Sequence, residues 1–174
     1  MIGAGLAGGA MANQLAQAGW QVTVLESEKE IATQASGNLA GAVHPLITAD
    51  WNLRSQWYLQ GFEATLRAVK PWLNQQATQT NQKQVKSGEM FADLGNLAGL
   101  VQLNVSQTSS QRIQEAFERV GLPNDFIQPL SQKQASELIG TDVSVSGVLF
   151  PQGGWLYPKA VIKRCFDYEN VDVL

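Results

Sequence analysis

The chain has 174 residues, 44% hydrophobic and 16% charged, which suits one globular domain or a part of a larger one. A net charge of −3 gives no general attraction for polyanions, so any nucleic-acid contact must come from a local patch. One cysteine and one histidine leave no disulfide framework, thiolate metal cluster or multi-histidine metal site within the chain, and no apolar run approaches the ~18 residues of a membrane span, so a cytoplasmic protein is expected.

The chain opens on Gly3-Ala4-Gly5-Leu6-Ala7-Gly8, a G-x-G-x-x-G that runs into an Ala-rich helical pattern from about Leu6 to Ala18. In such a fingerprint Gly3 makes the tight turn out of a strand. Gly5, lacking a Cβ, lets a pyrophosphate approach, and Gly8 lets the helix sit close to the sheet. The first N–H groups of the helix and its positive dipole end then face the phosphates. Gly19 supplies the left-handed residue that ends the helix. Gln21 to Leu25 reads as a short buried strand, with Glu26 at its end, placed to accept hydrogen bonds from the hydroxyls of an adenosine ribose. The same carboxylate disfavours a 2′-phosphate, and so NADP. A plainer use of Glu26 would be to cap the following turn.

Only Met1 and Ile2 precede the glycines, where a first strand normally supplies about five apolar residues. Val171 to Leu174 reads as a strand with nothing after it. Both ends therefore suggest the N-terminal piece of a larger oxidoreductase domain. Ser27 to Gln34 is polar, with room for a helical turn. The run Ala35-Ser36-Gly37-Asn38-Leu39-Ala40-Gly41-Ala42-Val43-His44-Pro45-Leu46 is dominated by small residues. It suits a backbone passing close to a flat ligand, with N–H groups and the Ser36 and Asn38 side chains as donors; Ser-Gly-Asn turn chemistry alone would also produce it. His44 follows this loop directly. It could orient substrate or touch the cofactor, or simply bond to backbone near the turn.

Asp50 to Val69 has helical spacing, with Asp50 as N-cap and Pro71 as the stop. Leu53, Trp57, Tyr58, Phe62, Leu66 and Val69 form its apolar stripe and are expected to face a core rather than to stack on bases. Asn74 to Lys86 reads as a loop or a frayed helix end. Met90 to Ala92 and Gly99 to Leu103 are strand candidates. A capping box at Thr108-Ser109-Ser110-Gln111 would start a helix that ends at Gly121, before Pro123. Ser131-x-x-Gln134 would start a second helix that stops at Gly140. Gly147 to Phe150 is a strand leading to a turn at Gly153-Gly154-Trp155, and Pro158 suits the first turn of a helix through Cys165. Trp155 and Tyr157 could wall a substrate cavity, packing being the favoured use of Trp155. Cys165 reads as a small buried hydrophobe.

Three motifs in this order carry a family resemblance: G-A-G-L-A-G-G with V-T-V-L-E, then A-S-G-N-L-A-G-A-V-H-P-L, then P-Q-G-G-W-L-Y-P. Together they resemble the FAD-dependent D-amino-acid oxidase/glycine oxidase superfamily. The second and third are most similar to the C-terminal oxidoreductase domain of the tRNA 5-methylaminomethyl-2-thiouridine biosynthesis bifunctional proteins. The resemblance runs from Gly3 to about Phe166. It implies an α/β fold: a Rossmann-like FAD-binding βαβ start plus part of an α+β substrate domain, as a fragment of a larger D-amino-acid-oxidase-like fold. On that basis residues 1–48 are the N-terminal part of the FAD-binding domain. Residues 49–174 are a partial substrate domain and the start of the return to the FAD-binding domain.

The cofactor-binding residues expected on this reading are Gly3, Gly5, Leu6, Ala7, Gly8, Glu26, Ser36, Gly37, Asn38, Ala40 and Gly41, with His44 as the catalytic candidate and no metal. The resemblance further implies oxidation of a carboxymethylaminomethyl group on the wobble uridine of tRNA, followed by methylation on a methyltransferase domain of the same polypeptide. Two other readings stay open. One is a small-molecule amino-acid oxidase of the glycine or D-amino-acid type, and the other is a truncated, non-catalytic fragment.

Overall fold

A computed structural model describes residues 1–48, 50–80 and 94–174. In chain order the elements are α1 (Leu6–Gln17), β1 (Val22–Val24), β2 (Gly41–Val43), α2 (Leu53–Thr80), β3 (Gly95–Asn96), β4 (Leu100–Leu103), α3 (Gln107–Val120), β5 (Gln128–Leu130), α4 (Gln132–Ile139), β6 (Gly147–Phe150), β7 (Gly154–Leu156), α5 (Pro158–Cys165) and β8 (Val171–Val173). They divide into two units. The first takes Met1–Gly41, Pro71–Gly95 and Leu156–Leu174, and the second takes Ala42–Lys70 and Asn96–Trp155. The short strands β2, β7 and β3 are hydrogen-bonded in that order.

The first unit is built by local rules around α1. Gly5, extended at φ −88°, is its N-cap, and the small residues after it allow close packing on two sides. At the other end the Gly19 N–H donates to the Ala16 carbonyl and the Trp20 N–H to the Leu15 carbonyl, with Gly19 at φ +85°. That is a Schellman stop, available because glycine carries no Cβ penalty in the left-handed region. Asn170 adds a second stop, its Nδ2 donating to the carbonyls of Ala16 and Trp20. The chain then turns into β1, which pairs in parallel with β8, Val22 opposite Val171 and Val24 opposite Val173. Leu25 makes a parallel bridge to Ile2. From one edge the order is therefore β8, β1, Ile2, the 3-2-1 order of a Rossmann half-sheet. Ala4, Ala12, Val22 and Val24 form the buried centre, with Leu15, Ile31, Phe166 and Val171 around them.

Helix α5 begins with Pro158 at its first position, where the missing N–H is no loss, and its buried side carries Val161, Ile162 and Cys165. It lies against α1 at Gly9, where an added Cβ would stand 3.3 Å from Cys165 Cβ and 3.6 Å from Ile162 Cα. Cys165 is the buried hydrophobe expected, and desolvation pushes its thiol up from 9.0 to about 11.

In the second unit β6 is central, antiparallel to β4 (Leu100 opposite Phe150) and to β5 (Leu130 opposite Gly147). Pro129 is tolerated in β5 because that strand lies at an edge. The core holds Leu122, Ile127, Val148 and Phe150, packed by Ile47, Trp51, Leu100, Phe117, Val120 and Phe126. Gly153 and Gly154 are steric necessities here. A Cβ on Gly153 would stand 2.8 Å from the Val43 carbonyl oxygen, and one on Gly154 would collide with the Asn96 carbonyl.

Several expectations hold in detail. Ser131 and Gln134 form the reciprocal capping box, and Gly140 ends α4 at φ +76°. The strands at 100–103, 147–150 and 171–173 and the helix from Pro158 also form. Others are corrected. Pro71 does not stop α2, a helix of 28 residues with the proline inside it. A proline removes one backbone donor and strains the preceding turn, but the helix is held on both sides of it. Before it Phe62, Leu66 and Val69 are buried. After it the Gln76 side chain accepts from the Leu94 N–H, and Gln75 accepts from Arg164. The N-cap of α2 is Asn52, whose Oδ1 accepts from the N–H groups of Arg54 and Ser55; Asp50 only braces the Asn52 amide.

The apolar stripe of α2 is also not uniformly inward. Leu53, Trp57 and Tyr58 are exposed, with the Arg54 guanidinium 5.7 Å from the Tyr58 ring centre. Helix α3 starts at Gln107, so Thr108 lies within its first turn rather than before it. Gly154 and Trp155 belong to a strand, with the turn before them, and Trp155 is exposed rather than packed. Residues 27–34 contain bends and turns but no helix. The strand candidate at 90–92 lies outside the described residues.

The α1–α5 contact gives a paired expectation. Gly9→Val should destabilise the protein by about 1–3 kcal/mol through overpacking against Cys165. Gly61→Ala, in the exposed middle of α2 with nothing within 4 Å, should stabilise it by roughly 0.5–1 kcal/mol. Urea unfolding of both variants measures the difference.

Candidate cofactor site

The glycine turn is shaped by two close approaches. Gly3 sits at φ +96° with its N–H on the Leu25 carbonyl, which brings the chain off the sheet and back into α1. Gly8 lies so tightly over that turn that a Cβ would collide with the Gly3 carbonyl oxygen. Glycine is thus required at both positions by the protein's own backbone. At the exposed start of α1 the N–H groups of Gly5, Ala7 and Gly8 have no acceptor among the described residues. The Leu6 N–H donates to Ser36 Oγ at 3.1 Å. No acidic side chain occupies the first turn. Unsatisfied donors at the positive end of a helix dipole form an anion-binding surface.

Glu26 stands beside this turn at the end of β1. Its Oε2 accepts from the Ala4 N–H at 2.7 Å, and its Oε1 accepts from Ser27 N at 2.8 Å, Glu28 N at 3.2 Å and Ser27 Oγ at 3.2 Å. These donors, the Ala4 N–H first, hold its carboxyl below the usual carboxylate range. Both the capping use and the ribose-acceptor position are therefore compatible. Oε1 serves the next turn, and Oε2 makes only one of the hydrogen bonds it can accept.

The loop after Glu26 closes over the same turn. Ala32, buried and at φ +58°, donates its N–H to the Ala4 carbonyl at 3.3 Å. A left-handed alanine is uncommon and held by its surroundings, and sequence reasoning had no signal for it. Gly37 sits within reach of three carbonyls. An added Cβ would lie 3.1 Å from the Ala32 and Gln34 oxygens and 3.2 Å from that of Thr33. A side chain there would press on the loop's own carbonyls. Asn38 turns its amide to the Ala35 carbonyl. Gly41, at the start of β2, would place a Cβ in ordinary contact with Pro158 and Leu156.

The structure thus gathers Gly3, Gly5, Leu6, Ala7, Gly8, Glu26 and Ser36 around the start of α1. No hydrogen bond ties Gly37, Asn38, Ala40 or Gly41 to the glycine turn among the described residues. His44 belongs to the second unit. Its Nδ1 lies 3.0 Å from the Pro45 carbonyl, and its ring stacks at 5.5 Å on Phe150. A carbonyl only accepts, so in this contact Nδ1 carries a proton. No group of metal-ligating side chains, and no helix long and apolar enough to cross a membrane, is found among the described residues.

Comparison with known proteins identifies this arrangement. The sequence model for the DAO family, FAD dependent oxidoreductase, matches residues 1–167. The chain belongs to this family. Its cofactor is FAD. The chain is 47% identical over 171 residues, 98% of its length, to the tRNA 5-methylaminomethyl-2-thiouridine biosynthesis bifunctional protein of Hydrogenovibrio crunogenus. It is 33% identical over 171 residues to the protein of the same name from Chromobacterium violaceum. In both cases it spans 23% of the relative. Among solved structures it resembles glycine oxidase from Bacillus cereus, with a TM-score of 0.63 at 17% identity, covering 99% of this chain and 44% of that one. Iminodiacetate oxidase from Chelativorans gives 0.62 at 21% identity, with coverage of 99% and 45%. These structures share the fold, a mixed α/β architecture with a Rossmann-like start. The donor set at the start of α1, with Glu26 beside it, fits the pyrophosphate and ribose of FAD.

The lowered pKa of Glu26 has a measurable consequence. A carboxyl held low in the folded state stabilises the turn above its unfolded pKa, and that contribution fades as pH falls through the folded value. The Ala4 amide resonance should therefore hold steady from pH 7 through the ordinary carboxylate range and move only below it. In Glu26→Gln this acid transition should vanish.

Proposed function

We propose that the full-length protein oxidises the carboxymethylaminomethyl group on the wobble uridine of tRNA, leaving an aminomethyl group. The observation that carries this reading is the 47% identity, along nearly the whole chain, to a relative named for tRNA 5-methylaminomethyl-2-thiouridine biosynthesis. When bound, FAD accepts a hydride from the carbon beside an amine nitrogen. The substrate thereby becomes an imine, and water cleaves it to the aminomethyl uridine and glyoxylate. A methyltransferase domain on the same polypeptide would then methylate the freed amine.

The chain's own part in this is cofactor binding. The N–H groups of Gly5, Ala7 and Gly8 meet the pyrophosphate, and Ser36, accepting from Leu6, keeps a hydroxyl hydrogen to donate. Glu26 accepts from the adenosine ribose. Gly37, Asn38, Ala40 and Gly41 carry the loop backbone that adjoins the cofactor. His44 is the candidate that touches the substrate, through Nε2. In domain terms residues 1–48 start the FAD-binding domain. Residues 49–174 form part of the substrate domain and begin the return. The parallel pairing of β8 with β1 supports that return.

Full-length protein reconstituted with FAD should release glyoxylate from tRNA bearing the carboxymethylaminomethyl group, with little turnover of free glycine or D-alanine. Turnover of the free amino acids with the tRNA left intact would replace this reading with that of a small-molecule oxidase. The cofactor assignment has its own test. Gly5→Val puts a branched side chain at the pyrophosphate face and should purify without flavin. Glu26→Ala should weaken FAD binding about tenfold or more. A full flavin complement in Gly5→Val would refute the assignment.

A further inference from the structure

The loop from Glu26 to Gly37 is tied to the glycine turn at both ends, through Glu26 to Ala4 and through Ser36 to Leu6. Between those ties Glu30 reaches out of the loop. Its Oε2 meets Lys159 Nζ at 2.6 Å, the shortest ion pair among the described residues. Lys159 lies in the first turn of α5, directly after Pro158. A cation there opposes the helix dipole, so the helix itself gives no reason for a lysine at that position. Its side chain is nonetheless only 29% exposed and committed to the pair. The Lys159 ammonium holds the Glu30 carboxyl low, and Glu30 in turn raises Lys159. The buried Ala32, at φ +58°, follows two residues after Glu30, so the staple sits beside the most constrained backbone of the loop.

We infer that Lys159 and Glu30 are positioning residues for FAD: their ion pair staples the Glu26–Gly37 loop to α5 and so presets Glu26 and Ser36 at the start of α1. This rests on the cofactor reading above and adds a contribution from residues that need not touch the cofactor. An exposed pair has a modest effect, so disrupting it should raise the Kd for FAD by about two- to fivefold.

The sign of the Glu30 variant separates positioning from plain charge attraction. FAD is anionic, so a purely electrostatic role for these side chains predicts tighter binding when Glu30 loses its charge. Positioning predicts weaker binding. FAD titrations by flavin fluorescence on the full-length apoprotein should show weaker binding for both Lys159→Met and Glu30→Gln. The charge-exchanged double variant Glu30→Lys/Lys159→Glu should restore affinity toward the parent. Amide exchange over residues 27–37, followed by mass spectrometry on the apoprotein, should quicken in both single variants and slow again in the double one. That second readout needs no bound flavin. Unchanged or tighter binding by Glu30→Gln, or unchanged loop exchange in both single variants, would overturn the inference. If the parent shows no saturable FAD binding the cofactor reading fails, and this inference falls with it; altered affinity in the variants alone leaves that reading intact.

Discussion

The arrangement of the first unit depends on the backbone of one residue. Ala4 is fully buried, its N–H donating to the Glu26 carboxylate and its carbonyl accepting from the Ala32 N–H. Neither a buried N–H nor a buried carbonyl can be left unpaired without a penalty. Satisfying both fixes where the strand before Glu26 ends and where the loop after it must return. The glycine turn is thereby gripped from two sides, and the start of α1 is left open with its donors pointing outward. This pairing, together with the collision that forbids a side chain at Gly8, sets the shape of the turn at which the proposed cofactor site lies.

Glycine does different work at each motif. At Gly3 the backbone angle requires it, at Gly8 a carbonyl excludes a side chain, at Gly37 three carbonyls crowd one, and at Gly153 and Gly154 the neighbouring backbone excludes one. Four of these five positions are explained by contacts of the chain with itself, without reference to any ligand. Gly5 meets no backbone in this way; a Cβ there would meet only Ser36, with Oγ at 3.1 Å. The glycine-rich pattern therefore reports the tight backbone geometry of the unit as much as the ligand it serves.

What was legible in the sequence was what local chemistry decides. The Schellman stop at Gly19, the capping box at Ser131 and the proline start at Pro158 each involve residues a few positions apart, and each formed as read. The readings that needed correction turn on contacts from elsewhere. Pro71 lies inside a helix held by packing before it and by side-chain hydrogen bonds after it. Asn52 captured the start of α2 although Asp50 has equal capping chemistry. Gly154 looks like a turn residue but is a strand residue pressed against Asn96. In the candidate site the glycines and Glu26 could be named from spacing. The grip of Ala32 on Ala4 and the reach of Lys159 to Glu30 could not, because neither a left-handed alanine nor an ion pair over so long a separation leaves a local signature.

The β1–β8 pairing has a consequence for how the chain is made. Val22 and Val171 are separated by about 150 residues, with the whole second unit between them. At a synthesis rate of about 5–20 residues per second, β1 emerges on the order of 7–30 s before its partner exists. Through that interval Val22 and Val24 stand on an open strand edge while the glycine turn and α1, which need only local contacts, can already form. The half-sheet is therefore begun before the second unit and closed after it, and the late pairing of distant strands is the slow kind of folding step. On the ribosome, β1 is a waiting edge that must stay unpaired until its distant segment arrives.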